Sequence, residues 1–352
     1  MDNIINEDKS ILVTRSFSKT KDFFNSAISG VSHEKRLALT FYSVLNMPIS
    51  NMIFCAAEAE RAGFEYVSVA ESFYRDASVL SSAIATNTTK IKLGSSVYPI
   101  PTRTPFQIAM AAATLNEISN DRIGFIGLGV GYRVRIEQYF GLKIKDSLSK
   151  MKEYVEVIQG LLSANDFSYT GRYFDFQDFP KLVSEPSNIS ILIGASGDKM
   201  LKLAGKIVDG IILNSIGTEQ YFKHAILALN NSANEADRDT IRQFGGTNRH
   251  DVLFYVLYPE LDPVIEKTRY MQNVTGIRKD NLKGKSREAL PLISNDMVED
   301  LSISGTQNEC RDKISKLYDY GITLPIIRVS AKPFKENERK DVFLRAIEVL
   351  KD

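Results

Sequence analysis

This sequence predicts an α/β chain that closes as a TIM, or (βα)8, barrel, and three observations carry the prediction. Eight short apolar runs rich in β-branched and aromatic residues alternate with stretches of helical period. The pattern ends on a helix, KDVFLRAIEVL (340–350), as a barrel of eight β–α units should. The turn after the first run, Ser43 to Ile49, holds no glycine. A doubly wound open sheet, the competing architecture, would place its phosphate-binding glycines there.

Residues 1–35 are polar and stand outside this rhythm, so they are expected to be an N-terminal extension; FFNSAISG (23–30) has the spacing of a short amphipathic helix. The strands are predicted at 36–43, 64–71, 91–97, 122–130, 189–195, 209–215, 251–258 and 322–330. Most are unbroken apolar runs bounded by Gly, Asp, Asn or Pro, the mark of parallel strands covered on both faces. Helices are predicted at 49–63, 104–119, 151–162, 308–321 and 340–350. Gly63 and Gly321 fall where a helix end calls for positive φ. Two insertions break the pattern. Within 165–188, FSYTGRYFDF (167–176) reads as a hairpin about Thr170 and Gly171, and 259–305 is too long and charged for one helix, an expected mobile or partly ordered stretch.

At 352 residues, 43% hydrophobic and 25% charged, the chain is long enough for one large core. Length alone leaves one domain and two equally open, and the barrel takes 36–352 as one. A formal net charge of +1 argues against a general attraction to nucleic acid. The two cysteines, Cys55 and Cys310, have no metal-ligand spacing and read as free thiols of a reducing compartment. No apolar run has the length of a signal peptide or a membrane span, so a soluble, cytoplasmic protein is expected.

A barrel builds its site at the C-terminal ends of its strands. Those ends deliver Tyr42 and Ser43; Glu71 and Ser72; Ser95, Ser96 and Tyr98; Gly131, Tyr132 and Arg133; Gly194, Ser196 and Gly197; Asn214 and Ser215; Arg328 and Ser330. This rim is rich in hydroxyls and poor in acids. His33 and His250 precede predicted strands and His224 belongs to a helix, so no triad, paired-acid or metal constellation forms. A planar redox cofactor that carries its own chemistry needs few side chains. Gly127, Gly129 and Gly131 recur at a spacing of two and would bare one face of the fourth strand for such a ring, or for close packing inside the barrel. In ILIGASGDKMLKLAG (191–205) a strand runs directly into a helix, so the amides of Ser196, Gly197 and Asp198 can face an anion. The same stretch also reads as a plain turn with Ser196 or Asp198 as N-cap.

The succession AERAGFEYVSVAES, RDASVLSSAIATNTTKIKLGSSVYPIPTRTP, IAMAAATLNEISNDRIGFIGLGVG, MKEYVEVIQGLLS, YTGRYFDF, ILIGASGDKMLKLAGKIVDGIIL and GTQNECRDKISKLYDYGI resembles the bacterial luciferase-like superfamily over about residues 37–330. RDA and TRTP…AMAAATL look more like its coenzyme F420 (deazaflavin) branch, which includes methylenetetrahydromethanopterin reductase, while GVGYR is similar to FMN-using relatives. The resemblance implies a TIM barrel, often a homodimer, that acts on a small organic substrate as an F420-dependent oxidoreductase. The alternatives are an FMN-dependent monooxygenase or a binding protein without catalysis. It further implies a non-prolyl cis peptide at Ser96–Val97 behind the cofactor ring, phosphate contacts at Ala195, Ser196 and Gly197, and cofactor-binding roles for Ser95, Gly129 and Gly131. The sequence departs from the family twice. Ser72 replaces a His after the acid Glu71, and Tyr132 replaces a carboxylate. Glu71 is then the acid–base candidate, with Ser72 and Tyr132 as hydrogen-bonding partners, unless Glu71 is merely paired with Arg75 or Arg103.

Overall fold

The computed structural model describes residues 14–15, 36–42, 47–71, 73–214, 216–235, 249–282, 289–304, 306–330 and 335–351. The expected helix at 23–30 lies outside them, as do Ser43, Ser72, Ser215 and His33. The strands are β1 (Thr14–Arg15), β2 (Ala38–Phe41), β3 (Tyr66–Val69), β4 (Lys92–Pro99), β5 (Ile123–Gly129), β6 (Phe167–Thr170), β7 (Asp175–Phe179), β8 (Ser190–Gly194), β9 (Gly210–Ile212) and β10 (Ile326–Arg328). One sheet runs β1-β10-β2-β3-β4-β5-β8-β9, with every pairing parallel except β1 on β10. Thr14 and Arg15 of the expected N-terminal extension thus join the sheet.

The sheet curls, because Ala38, Tyr66, Phe125, Leu192, Ile212 and Ile326 from six strands meet in one inner cluster with Leu324 and Val97. Val208, Leu213 and the other outward residues pack on the surrounding helices in a second, larger cluster. Helices α1 (Ile49–Arg61), α2 (Ala77–Ala85), α3 (Pro105–Ile118), α4 (Arg133–Phe140), α5 (Ser147–Leu161), α6 (Asp198–Ile207) and α7 (Glu219–Glu235) follow the strands, and Gln307–Asp319 and Arg339–Leu350 stand where expected. Gly63 and Gly321 have φ of 81° and 99°, as their places after helix ends require.

The seventh predicted strand is a helix instead. Residues 251–258 lie mostly in α8 (Arg249–Val256), with His250. Val252, Tyr255 and Val256 are buried, a spacing of three and four. A short apolar run can satisfy either period, and here the helical face wins. Residues 259–305, expected to be mobile or partly ordered, carry short helices, among them Pro259–Leu261, Met271–Leu282 and Asn295–Leu301. The hairpin of β6 and β7 turns where predicted. Its tip is held by Glu153 of α5, whose carboxylate accepts from the amides of Arg172, Tyr173 and Phe174. No helix among the described residues is long and apolar enough to cross a membrane.

Candidate active site

A cavity of about 860 Å³ opens at the C-terminal ends of the strands. Its floor is the outer half of β4. The β4–β5 register slips between Ser95 and Tyr98, a bulge that turns Ser96 and Val97 inward, and the Ser96–Val97 peptide is cis. Beneath the bulge three buried hydroxyls converge: Thr40 Oγ1 and Ser68 Oγ each lie 2.9 Å from Ser96 Oγ. Thr40 also donates to the Ser68 carbonyl at 3.2 Å. Each such bond contributes about 1 kcal/mol net, and each would cost more if left unmade inside the barrel.

The glycines of β5 serve this bulge. A Cβ on Gly127 would lie 2.3 Å from the Ser95 carbonyl oxygen, and one on Gly129 2.4 Å from Val97 Cγ2. The bared face predicted for a cofactor ring is therefore filled by β4 at Gly127 and by the Val97 side chain at Gly129. The surface that meets the cavity is one layer further in, the bulge itself. Gly131 is different in kind: its φ of 75° turns the chain from β5 toward α4. Ser95, expected to touch the cofactor, points the other way. It is buried, accepts from the Gly127 amide at 2.9 Å and donates to the Gly127 carbonyl, so it ties β4 to β5. Gly129, Gly131, Ser96 and Val97 all line the cavity.

One rim is organised by Arg103. Its Nε and Nη2 donate to the two oxygens of Glu71 at 2.5 and 2.7 Å, and Nη2 also reaches Asp76. Glu71 Oε2 accepts from the Ala77 amide as well, at 3.0 Å. The sequence motifs now have physical reasons. Asp76 caps α2 through the Val79 amide, Thr104 caps α3 in a reciprocal box with Gln107, and Pro105 opens that helix. The Glu71 bond foremost holds the Arg103 guanidinium well above its usual range. Burial pushes the Asp76 carboxyl up, but the Val79 amide and Arg103 outweigh it and hold the group low. Tyr154 of α5 fixes the loop by donating to the carbonyls of Ile100 and Arg103. Glu71 is thus paired with Arg103; Arg75 instead donates to the Met47 carbonyl at 2.7 Å.

The opposite end is the start of α6. Ala195, Ser196 and Gly197 line the cavity, and Gly197 stands at the N-cap with no side chain capping the first turn. The first amides of a helix have no partner within it. Ala195 differs: its amide donates to the Ile212 carbonyl at 3.1 Å and is spent in the sheet. Tyr221 of α7 donates to the Ser196 carbonyl, and His224, in a helix as expected, lies 2.8 Å from Asp198. That bond, first of all, holds the Asp198 carboxyl below its usual range.

Tyr132 forms the wall between these ends, its ring stacked on Tyr258 at 4.5 Å. Tyr42, Phe73 and Tyr74 also line the cavity, while Phe41 and Tyr98 belong to the core. Thr40, Ser68 and Glu260 were missed in the sequence. A lone hydroxyl amid a doubly covered strand, in LALTFY and YVSVA, was the available signal for the first two. Among the described residues no cluster of acids, His and Cys could hold a metal.

The family model for luciferase-like monooxygenases matches residues 31–324. The chain belongs to this family. Within it, the chain is 27% identical over 316 residues to 5,10-methylenetetrahydromethanopterin reductase of Archaeoglobus fulgidus, covering 83% of this chain and 92% of the relative. Two solved structures share the fold. The coenzyme F420-dependent tetrahydromethanopterin reductase of Methanopyrus kandleri superposes with a TM-score of 0.74 at 23% identity, over 90% of this chain and 98% of that one. The FMN-bound oxygenating constituent of 3,6-diketocamphane monooxygenase of Pseudomonas putida does so at 0.60 and 16%, over 90% and 97%. This luciferase-like cavity suits a planar ring with an anionic tail: main chain and hydroxyls at the floor, aromatic walls, and an uncapped helix start at one end.

Proposed function

We propose that this protein is a coenzyme F420-dependent oxidoreductase that moves a hydride between the deazaflavin and a carbon of a small organic substrate. The observation that carries the reading is one cavity with the β4 bulge as floor and the uncapped start of α6 at its edge, in a relative of an established reductase. When bound, the deazaflavin supplies the carbon that gives or takes the hydride. The chain's own residues hold and orient. Ser96 and Val97 back the ring, Gly129 and Gly131 let the wall come close, and the amides at Ser196 and Gly197 take the anionic tail, with Ala195 contributing shape. Phe73, Tyr74 and Tyr132 exclude water, which strengthens every polar contact inside. Both oxygens of Glu71 are engaged by Arg103 and Ala77, so we assign it to fixing the rim rather than to carrying the proton. Tyr132, and Ser72 next to Glu71 in the sequence, offer hydroxyls to the substrate.

The barrel domain, residues 36–352, is read as a cytoplasmic homodimer that does not bind nucleic acid. Exposed Val79 and Met110 on the neighbouring helices α2 and α3 support the pairing, and the near-zero net charge supports the absence of nucleic acid. An FMN-dependent monooxygenase is the second reading, favoured by the fold shared with the FMN-bound monooxygenase. Titrating the cofactor-free protein with oxidised F420 and with FMN, then assaying each for turnover with reduced cofactor, tests both. Tighter binding of F420 with oxygen-independent turnover is expected, and oxygen-dependent turnover with FMN alone would overturn the assignment.

A further inference from the structure

Large aromatic side chains left in water call for a reason when they gather in one patch. Among the described residues four Phe or Tyr side chains are strongly exposed, and three of them, Tyr74 (53%), Tyr139 (53%) and Phe140 (45%), stand together at the mouth of the cavity. The fourth, Phe54, is elsewhere, with the Lys340 ammonium 3.8 Å from its ring centroid. The loop after β3 supplies Tyr74 and the end of α4 supplies the other two. Phe73 joins them, edge-on to Tyr139 at 5.0 Å and tilted on Phe140 at 5.7 Å. The rings are held in place. The Arg135 guanidinium lies 5.7 and 5.5 Å from the Phe73 and Tyr139 centroids, donates to the Tyr139 hydroxyl at 3.2 Å and is anchored through Nε on the Tyr258 hydroxyl at 2.6 Å. Phe73, Tyr74 and Phe140 also line the cavity, so this aromatic shelf continues the cavity wall outward. Within the cavity the three lining arginines are engaged: Arg103 with Glu71 and Asp76, Arg75 with the Met47 carbonyl, Arg133 with the Ile144 carbonyl and Glu137. Holding a molecule beside the cofactor therefore falls to apolar contact.

Resting on the cofactor reading above, we infer that the substrate is a largely apolar compound too long for the cavity to enclose. Its reacting end enters over the β4 bulge, and its remainder lies on the rings of Phe73, Tyr74 and Phe140 at the mouth. An apolar patch continuous with a cavity is covered most simply by the molecule that the cavity takes in. A shelf whose rings are already fixed loses little freedom when it is covered.

Two ketones, hexan-2-one and undecan-2-one, test this against protein loaded with oxidised F420, which has no hydride to give. The two differ by five CH2 groups. A CH2 taken wholly out of water changes affinity about fourfold and one laid on an open surface roughly twofold, so the dissociation constant read by calorimetry should fall roughly 10- to 30-fold from the shorter ketone to the longer. In the Tyr74→Ala/Phe140→Ala double variant that ratio should shrink to about threefold or less, because the surface for the extra carbons is gone. Both side chains are about half in solvent, so the fold does not lean on them. Sedimentation of the same variant reports the competing occupant, a second copy of this chain. Loss of an assembly with the length dependence intact would overturn the inference, as would a ratio unchanged in the variant. So would affinities within about twofold in the unmodified protein, or no binding of undecan-2-one at all. Each of these leaves the cofactor reading standing. Failure of the unmodified protein to bind either F420 or FMN would overturn that reading, and this inference with it.

Discussion

Replacing Glu71 by Gln, alone and together with Arg103→Met, separates the two roles open to Glu71. Its oxygens accept three hydrogens, from Arg103 Nε at 2.5 Å, Arg103 Nη2 at 2.7 Å and the Ala77 amide at 3.0 Å. Gln retains one acceptor, so its NH2 must face either the guanidinium or the amide. The side chains of Glu71 and Arg103 are only 12% and 16% exposed, which leaves little solvent to screen the loss. One charge-assisted bond lost, at about 1.5–3 kcal/mol, puts the cost of the Gln variant near 2 kcal/mol. Arg103→Met strands a partly buried carboxylate and should cost about 3 kcal/mol. The double variant should cost about 2 kcal/mol less than the sum, because both singles break the same pair. Urea unfolding followed by circular dichroism measures this, since the chain has no tryptophan to report by fluorescence. A coupling below about 0.5 kcal/mol would refute the pairing argument. So would a Gln variant of unchanged stability whose turnover falls about 100-fold with loss of one limb of its pH profile, because that is how a proton-transfer group behaves.

Three further outcomes follow from the same geometry. Gly129→Ala puts a Cβ 2.4 Å from Val97 Cγ2 and should destabilise by about 1–3 kcal/mol, and adding Val97→Ala should recover more than half of that; no recovery would mean the glycine is needed for another reason. Burial pushes the Cys55 thiol up to about 12 and the Cys310 thiol up to about 11, so at about pH 8 neither should react with a disulfide reagent until the chain unfolds, and rapid labelling of the folded protein would contradict their packing. Because the Asp198 carboxyl is depressed, its bond to His224 stabilises above the unfolded aspartate value, near 4, and is lost as pH falls through the lower folded value. His224→Ala should therefore lower the melting temperature at about pH 6 by more than it does below about pH 4, the loss shrinking as pH falls, and an equal loss across that range would show the effect to be packing alone.

How legible the fold was depended on whether local pattern and tertiary packing asked for the same thing. Strands such as 122–130 and helices such as 340–350 are long apolar periods with their own stop signals, and they formed where expected. Residues 251–258 are an Asp followed by seven apolar and aromatic residues without a decisive period, and packing chose the helix. The site divided along the same line. The cis peptide at Ser96–Val97 and the helix start at Gly197 were legible because a motif lies over each. The glycine stripe was seen, but what fills it was not, since a spacing of two says which face is bare and nothing about which neighbour leans in. The direction of the Ser95 side chain, toward Gly127, was hidden for a related reason. A bulge reverses the inward and outward alternation, and a run of Lys, Leu, Gly, Ser, Ser and Val does not announce one. Glu260 sits far from β5 in sequence and meets Arg133 only in the fold.

The helix that replaces the expected strand explains why the inner layer of this barrel can be polar. Arg328, Thr40 and Ser68 stand level on adjacent parallel strands, so their side chains share the inner face. Thr40 and Ser68 satisfy one another through Ser96, but Arg328 is a cation only 4% exposed and needs more than a strand's edge could offer. Helix α8 brings Tyr255 to it: the guanidinium donates to that hydroxyl at 2.6 Å and lies between the Tyr42 and Tyr255 rings, 4.6 and 5.2 Å from their centroids. The chain leaving α8 then delivers Tyr258 against Tyr132 and Glu260 against Arg133. One departure from the expected pattern therefore both accommodates the buried charge below and builds the cavity wall above. A strand at 251–258 would alternate its side chains between core and helices and could not place Tyr255, Tyr258 and Glu260 on the same side.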